Sequence, residues 1–137
     1  RVSFQYTTEL SDDHVWTWIS MAFEGGSNYW IDHAEIPQAT CDRYKRSNML
    51  CEDLVECQEK NVYNWTHQIP FLEDGEVEII IYDGTRHTLN RDKIAYGVKL
   101  MAEHSPRHFN DMVSEGGDST TADVLLQYSL LGEVIYG

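Results

Sequence analysis

Glu76-Val77-Glu78-Ile79-Ile80-Ile81-Tyr82-Asp83-Gly84-Thr85-Arg86-His87-Thr88-Leu89 is the stretch that decides the fold class. Its first seven residues are rich in β-branched side chains. Asp83-Gly84 is a tight-turn pair, and Thr85 to Leu89 reads as the returning strand of a hairpin. Beyond it the apolar period changes from two to 3.6. Ile94, Val98 and Met101 predict a helix from Asn90 to about Glu103. Ser105-Pro106 then predicts a second helix with a capping hydroxyl and proline at its first position, carrying Phe109, Met112 and Val113 inward. Gly116-Gly117 is expected to stop it.

Further along, Thr120-Thr121-Ala122-Asp123 approximates a capping box, followed by the helical stripe Val124, Leu125, Tyr128 and Leu131 before Gly132. Glu133 to Tyr136 reads as a last strand. Upstream, Arg1 to Thr8 alternates apolar and polar residues as a half-buried strand does. Ser11-Asp12-Asp13 opens a helix with acids in its first turn, and Val15, Ile19, Ala22 and Phe23 form its apolar stripe. A left-handed cap is expected at Gly25-Gly26. Tyr29-Trp30-Ile31 reads as a short strand. The expected architecture is α+β: an antiparallel sheet from both chain ends with an N-terminal helix and a C-terminal helical segment packed on it. The chain, 1–137, is expected to form a single domain with an irregular excursion at about 34–65.

Composition narrows the function. With 23 Asp+Glu against 10 Lys+Arg, the net charge is -13. Direct nucleic-acid binding through clustered cations is therefore disfavoured. No run of eighteen apolar residues and no charged-then-apolar leader occurs in the chain, so neither a membrane span nor a signal peptide is expected within it. Cys41, Cys51 and Cys57 fall in one segment without a CxxC pair. That argues against a disulfide framework and a zinc site, and for a reducing cytoplasm. Asn64-Trp65-Thr66 matches a glycosylation acceptor, which has meaning only in a secreted chain.

No catalytic constellation is legible. Gly25-Gly26 and Gly116-Gly117 fit neither dinucleotide nor P-loop spacing. His104 and His108 lie four apart, but Ser105-Pro106 between them breaks a continuous helix face, so no metal pair is expected; His67 and His87 are lone residues. The few cations are more informative. Arg86 and Arg91 flank the end of the hairpin, and Arg107 stands in a first helical turn where free N–H groups favour an anion. The simpler reading is that each pairs with a nearby acid such as Asp83, Asp92 or Asp111. The Arg43-Tyr44-Lys45-Arg46 cluster reads as a solvated loop. Trp16, Trp18, Trp30, Tyr29 and Tyr82 exceed the needs of a small core. Trp16 and Trp18 stand about 200° apart on a helix, so one of them is expected in a ligand pocket or a subunit contact.

Glu24-Gly25-Gly26-Ser27-Asn28-Tyr29-Trp30, Leu89-Asn90-Arg91, Pro106-Arg107-His108-Phe109 and Leu131 to Gly137 resemble small proteins of bacteriophages and prophages, and among them the viral Thoeris anti-defence sponges. The resemblance covers about half the chain. It implies an oligomeric protein of the host-cell cytoplasm with pockets shared between protomers. Such a protein sequesters glycocyclic ADP-ribose, the nucleotide signal of host TIR-domain proteins, without catalysis or a cofactor. It also implies that Asn90, at a helix start, bonds the ligand's polar edge and that Arg107, seventeen residues on, bonds its pyrophosphate. Arg91 and His108 lie beside them in the same motifs and join the expected ligand-binding set. Stacking on adenine is assigned to Tyr82 from its chemistry alone. Ala34 to Trp65 has no counterpart in the resemblance. The competing expectation is an acidic anti-CRISPR or anti-restriction inhibitor that mimics nucleic acid and binds a basic host defence protein.

Overall fold

The computed structural model describes residues 1–4, 9–46 and 69–137, with the side chains of residues 41 and 44–46 left undescribed. In chain order the elements are α1 (Asp12–Met21), a π-turn (Ala22–Gly26), β1 (Ile31–Glu35), α2 (Gln38–Arg46) and a 3-10 turn (Ile69–Phe71). They are followed by β2 (Val77–Ile81), β3 (Arg86–Leu89), α3 (Arg91–His104), α4 (Pro106–Ser114) and α5 (Ser119–Leu131). The fold is α+β as expected, with helices from both ends of the chain around a three-stranded antiparallel sheet of order β1-β2-β3.

Among the described residues the strands are β1, β2 and β3, and neither residues 1–4 nor the expected last strand Glu133 to Tyr136 joins the sheet. The hairpin forms as read, with Val77 opposite Leu89 and Ile80 opposite Arg86. On its other edge β2 pairs with β1, Ile31 opposite Ile81, with an irregularity between Ile31 and His33. The expected strand at Tyr29-Trp30-Ile31 is displaced: the Ser27 carbonyl accepts the N–H groups of both Trp30 and Ile31, so Tyr29 and Trp30 lie in a turn and the strand begins only at Ile31. β1 and α2 thus order part of the stretch read as irregular. Of the expected first strand, residues 1–4 are exposed and not in a strand, and residues 5–8 lie outside the described residues. Cys51, Cys57, Asn64 to Thr66 and His67 also lie outside them.

α5 is the centre of the molecule. Every residue from Thr121 to Leu130 is buried, because α1, the π-turn, α3, α4 and β3 all pack on it. A helix enclosed on all sides must satisfy its polar side chains inside the protein. α3 approaches it closely at Gly97, where an added Cβ would lie 2.2 Å from Ser129 Oγ.

Local chemistry explains the helix ends. Ser11 caps α1 by accepting from the His14 N–H, and Asn90 caps α3 by accepting from the Lys93 N–H. Gly132, at φ 76°, ends α5 in the left-handed conformation. Other ends differ from expectation. The cap of α5 is Asp118, which accepts from the Thr120 and Thr121 N–H groups, so Thr120 to Asp123 is no capping box. Ser105 pairs its hydroxyl with that of Tyr128 at 2.7 Å instead of capping α4. α4 ends at Glu115, at φ 59°, before the glycine pair. Neither Gly25, extended at φ 176°, nor Gly26 adopts the left-handed conformation expected of the cap. Gly26 instead lets α5 approach, since a Cβ there would sit 2.5 Å from the Ser119 carbonyl oxygen.

Trp16 and Trp18 are both buried, at 5% and 4% exposure, against the expectation that one would be exposed. Helical periodicity assumes one covered face, and α1 has two. The 3-10 turn supplies Phe71, whose ring meets Trp16 edge-on at 5.8 Å and 86°, and α5 packs on the same helix.

Candidate functional site

A groove of about 870 Å³ runs along α3. Val15, Phe71, Ile94, Val98 and Phe109 give it an apolar, partly aromatic lining, and Asp12, Arg91, Asp92 and Lys99 supply its charges. That combination of volume, apolar lining and a few polar groups suits a small-molecule site. A second hollow, of about 610 Å³, adjoins it through Phe71, Arg91 and Asp92 and is bordered by Glu73, Asp74, Glu76 and Asn90.

Arg91 is the hinge between the two. Its Nη2 donates to Asp12 Oδ2 and to the Phe71 carbonyl, both at 2.7 Å, and its guanidinium carbon lies 5.5 Å from the centre of the Phe71 ring. One side chain thereby fastens the start of α3 to α1 and to the 3-10 turn. It remains half exposed, so a ligand anion in the groove can compete with Asp12 for it.

The structure does not gather the five residues expected to bind a ligand. Asn90 and Arg91 border the hollows at the start of α3. Arg107, exposed and without an ion-pair partner among the described residues, stands just beyond its other end. Fourteen helical residues separate the two ends, about 21 Å. His108 is half-buried, with Nδ1 3.3 Å from Thr121 Oγ1. Tyr82 is 65% exposed at the hairpin turn and lines neither hollow. Asn90 spends its side-chain oxygen on the α3 cap.

Arg86 pairs with acids, as the simpler reading has it, but with Glu35 and Glu78 rather than Asp83, and Arg43, read as part of a solvated loop, is also paired. Arg86 donates to Glu35 and Glu78 at 2.7 Å each, and Arg43 pairs with Glu73 and Asp74. The Arg86 bond, then the His33 bond, holds the Glu35 carboxyl below its ordinary range. Among the described residues no group of three His, Cys, Asp or Glu side chains is placed to hold a metal ion, and no helix is long and apolar enough to cross a membrane.

One cluster has the composition of a catalytic set without its geometry. Thr85 Oγ1 donates to Asp83 Oδ1 at 2.6 Å and lies 2.9 Å from His87 Nε2. With the hydroxyl proton given to Asp83, the imidazole can bond that oxygen only as a donor. It therefore cannot act as the base that would activate the hydroxyl. Asp83 also accepts the Thr85 N–H at 2.8 Å, which makes the arrangement a turn.

The polar centre that sequence reasoning missed is Asp123. Only 6% exposed, it accepts from Ser27 Oγ at 2.7 Å, Tyr29 Oη at 2.5 Å, Trp30 Nε1 at 2.7 Å and Gln127 Nε2 at 3.1 Å. Burial of the hydroxyl, together with the Asp123 bond and charge, pushes Tyr29 up to about 12. The available signal was the pair Asp123 and Gln127, one helical turn apart inside an otherwise apolar helix. Compared with family models, curated proteins and solved structures, the chain matches none of them.

Proposed function

We propose that this is a binding protein without turnover, which sequesters a cyclic ADP-ribose-type nucleotide signal in the manner of the phage anti-defence sponges it resembles. The groove along α3 carries the reading. Its apolar and aromatic lining suits a base and ribose, and Arg91 and Lys99 suit phosphate oxygens. The separation of Asn90 and Arg107 adds a condition. One ligand reaches both only where two copies run α3 antiparallel, so that Asn90 of one copy faces Arg107 of the partner subunit. The proposed working form is thus a homo-oligomer.

The test is calorimetric titration with glycocyclic ADP-ribose isomers, then heating the complex and recovering the ligand for mass analysis. Tight binding with release of unchanged ligand supports the reading; absence of heat, or a hydrolysed product, overturns it. Val98→Glu should abolish binding by placing a charge on the groove lining. Asn90→Ser combined with Arg107→Ala tests the shared contact while keeping a capping oxygen on α3.

A second reading, an acidic inhibitor of a basic host defence protein, is favoured by the adjoining hollow. Four carboxylates border it, Glu73 and Asp74, which pair with Arg43, and Glu76 and Asp92, against one lining guanidinium already bound to Asp12. It expects no heat from nucleotides and partner binding that weakens as ionic strength rises.

A further inference from the structure

The chain leaves α5 at Gly132 and lies back across the molecule without forming a helix or strand. Gln127 receives it. Its Oε1 accepts the N–H groups of Ile135 and Tyr136 at 2.8 and 2.9 Å, and its Nε2 donates to the Tyr136 carbonyl at 3.1 Å. The Tyr136 ring lies flat on Trp30, centroids 5.4 Å apart and planes 11° from parallel. Val134 and Ile135 remain 44% and 55% exposed. The segment's side-chain hydrogen bonds are thus made to one amide and its ring contact to one indole, with Tyr136 at the edge of the core.

Those contacts have a definite chemical pattern. A fully buried carboxamide presents an acceptor and a donor side by side to the N–H and C=O of one residue, next to an indole face covered by a flat ring. A glutamine reads the adjacent amino group and ring nitrogen of adenine with the same two atoms, and an indole stacks on a base as it does on a phenol. The rear of the site is fixed: Gln127 Nε2 also donates to Asp123, which holds the Trp30 indole N–H, so neither group turns away when the segment leaves. Gly132, in a left-handed conformation already, stands at the boundary with α5 where the segment departs.

We propose that residues 134–136 are the internal occupant of a second binding site, for a planar heterocycle with an adjacent donor and acceptor of the adenine type, and that such a ligand binds by displacing them. Gln127 pairs with the ligand's edge, Trp30 stacks on its face, and Asp123 keeps both in place. The site is separate from the groove along α3, shares no lining residue with it, and does not depend on the groove reading. In the resting protein the occupant lowers apparent affinity by the fraction of molecules in which it is docked.

The probe is free adenosine, which has no phosphate, titrated into the full chain while the Trp30 indole N–H and the Ile135 and Tyr136 amides are followed by NMR. Wild type should bind weakly, with the two amides losing protection from exchange as adenosine is added. Tyr136→Ala should bind at least about tenfold more tightly, because less holds the occupant in place. Purine riboside, which lacks the amino group, should bind Tyr136→Ala more weakly than adenosine does. Val98→Glu should leave the adenosine-dependent shift of the Trp30 indole N–H unchanged, which separates this site from the groove. The proposal is overturned if folded Tyr136→Ala shows no adenosine-dependent shift of the Trp30 indole N–H. Should that variant not fold, wild type decides: amides of Ile135 and Tyr136 that stay protected at saturating adenosine overturn it equally.

Discussion

Asp12 and Asp123 are both aspartates on helices, and their surroundings give them opposite uses. Asp12 is half exposed and answers one guanidinium, while Asp123 is buried and answers four uncharged donors, with no ion-pair partner among the described residues. An exposed pair contributes about 0–1 kcal/mol, because water and salt screen it and two side chains must be held still. A buried carboxylate has given up its hydration and depends on every bond it receives. The Asp123 region is therefore committed to holding the π-turn, β1 and α5 together. The Asp12 region leaves a guanidinium beside an apolar groove, available to be taken over.

The largest effect expected from this contrast is at Asp123. Asp123→Ala strands the hydroxyls of Ser27 and Tyr29 and the indole N–H of Trp30 around a small void. It should lower unfolding free energy by about 3–5 kcal/mol, measured by urea denaturation. A loss under about 1 kcal/mol would mean that water satisfies these donors and that the two aspartates do not differ as described.

What the sequence made legible divides along the same line. The hairpin at Asp83-Gly84, the start of α3 at Asn90 and the proline opening α4 were readable because each is decided by a few neighbouring residues. Asp123 was not, because three of its four donors lie more than ninety residues away in sequence, and only the folded chain brings Ser27, Tyr29 and Trp30 to it. Glu133 to Tyr136 has strand-like composition, but the N–H groups of Ile135 and Tyr136 and the Tyr136 carbonyl are taken by the side chain of Gln127, which no periodicity reports. Trp16 misled for a related reason: the second cover over α1 comes from Phe71, distant in the chain. Of the expected ligand set, Asn90 and Arg91 do border the hollows. Arg107 is separated from them by the whole of α3, a distance that spacing in sequence does not convey.

An intermediate effect comes from pH, and it sharpens the contrast without mutating the carboxylate. The folded protein raises Tyr29 from 10.0 to about 12, so it holds that proton more tightly than the unfolded chain does. The resulting stability is complete below pH 10 and is lost as pH climbs from 10 toward 12. Tyr29→Phe removes the titrating group and should flatten this alkaline decline in urea midpoints. An equally steep decline in the variant would place its origin elsewhere.

The smallest effect on stability, and the most informative for function, is expected from Asp12→Asn. The exchange keeps size and polarity but removes the charge that occupies Arg91, and it also removes an acid from the first turn of α1. Both losses are screened at the surface, so unfolding free energy should change by no more than about 1 kcal/mol. Arg91 keeps its bond to the Phe71 carbonyl and its place over the Phe71 ring, which preserves the shape of the groove. What changes is competition: a ligand phosphate no longer has to displace a carboxylate. Affinity for the glycocyclic ADP-ribose isomer should therefore rise severalfold in calorimetry, with the gain shrinking as salt is added. If affinity stays the same at every salt concentration, Arg91 does not meet the phosphates. Its work is then to clamp Phe71 against α3, and Lys99 becomes the cation of the groove on which phosphate binding has to rest.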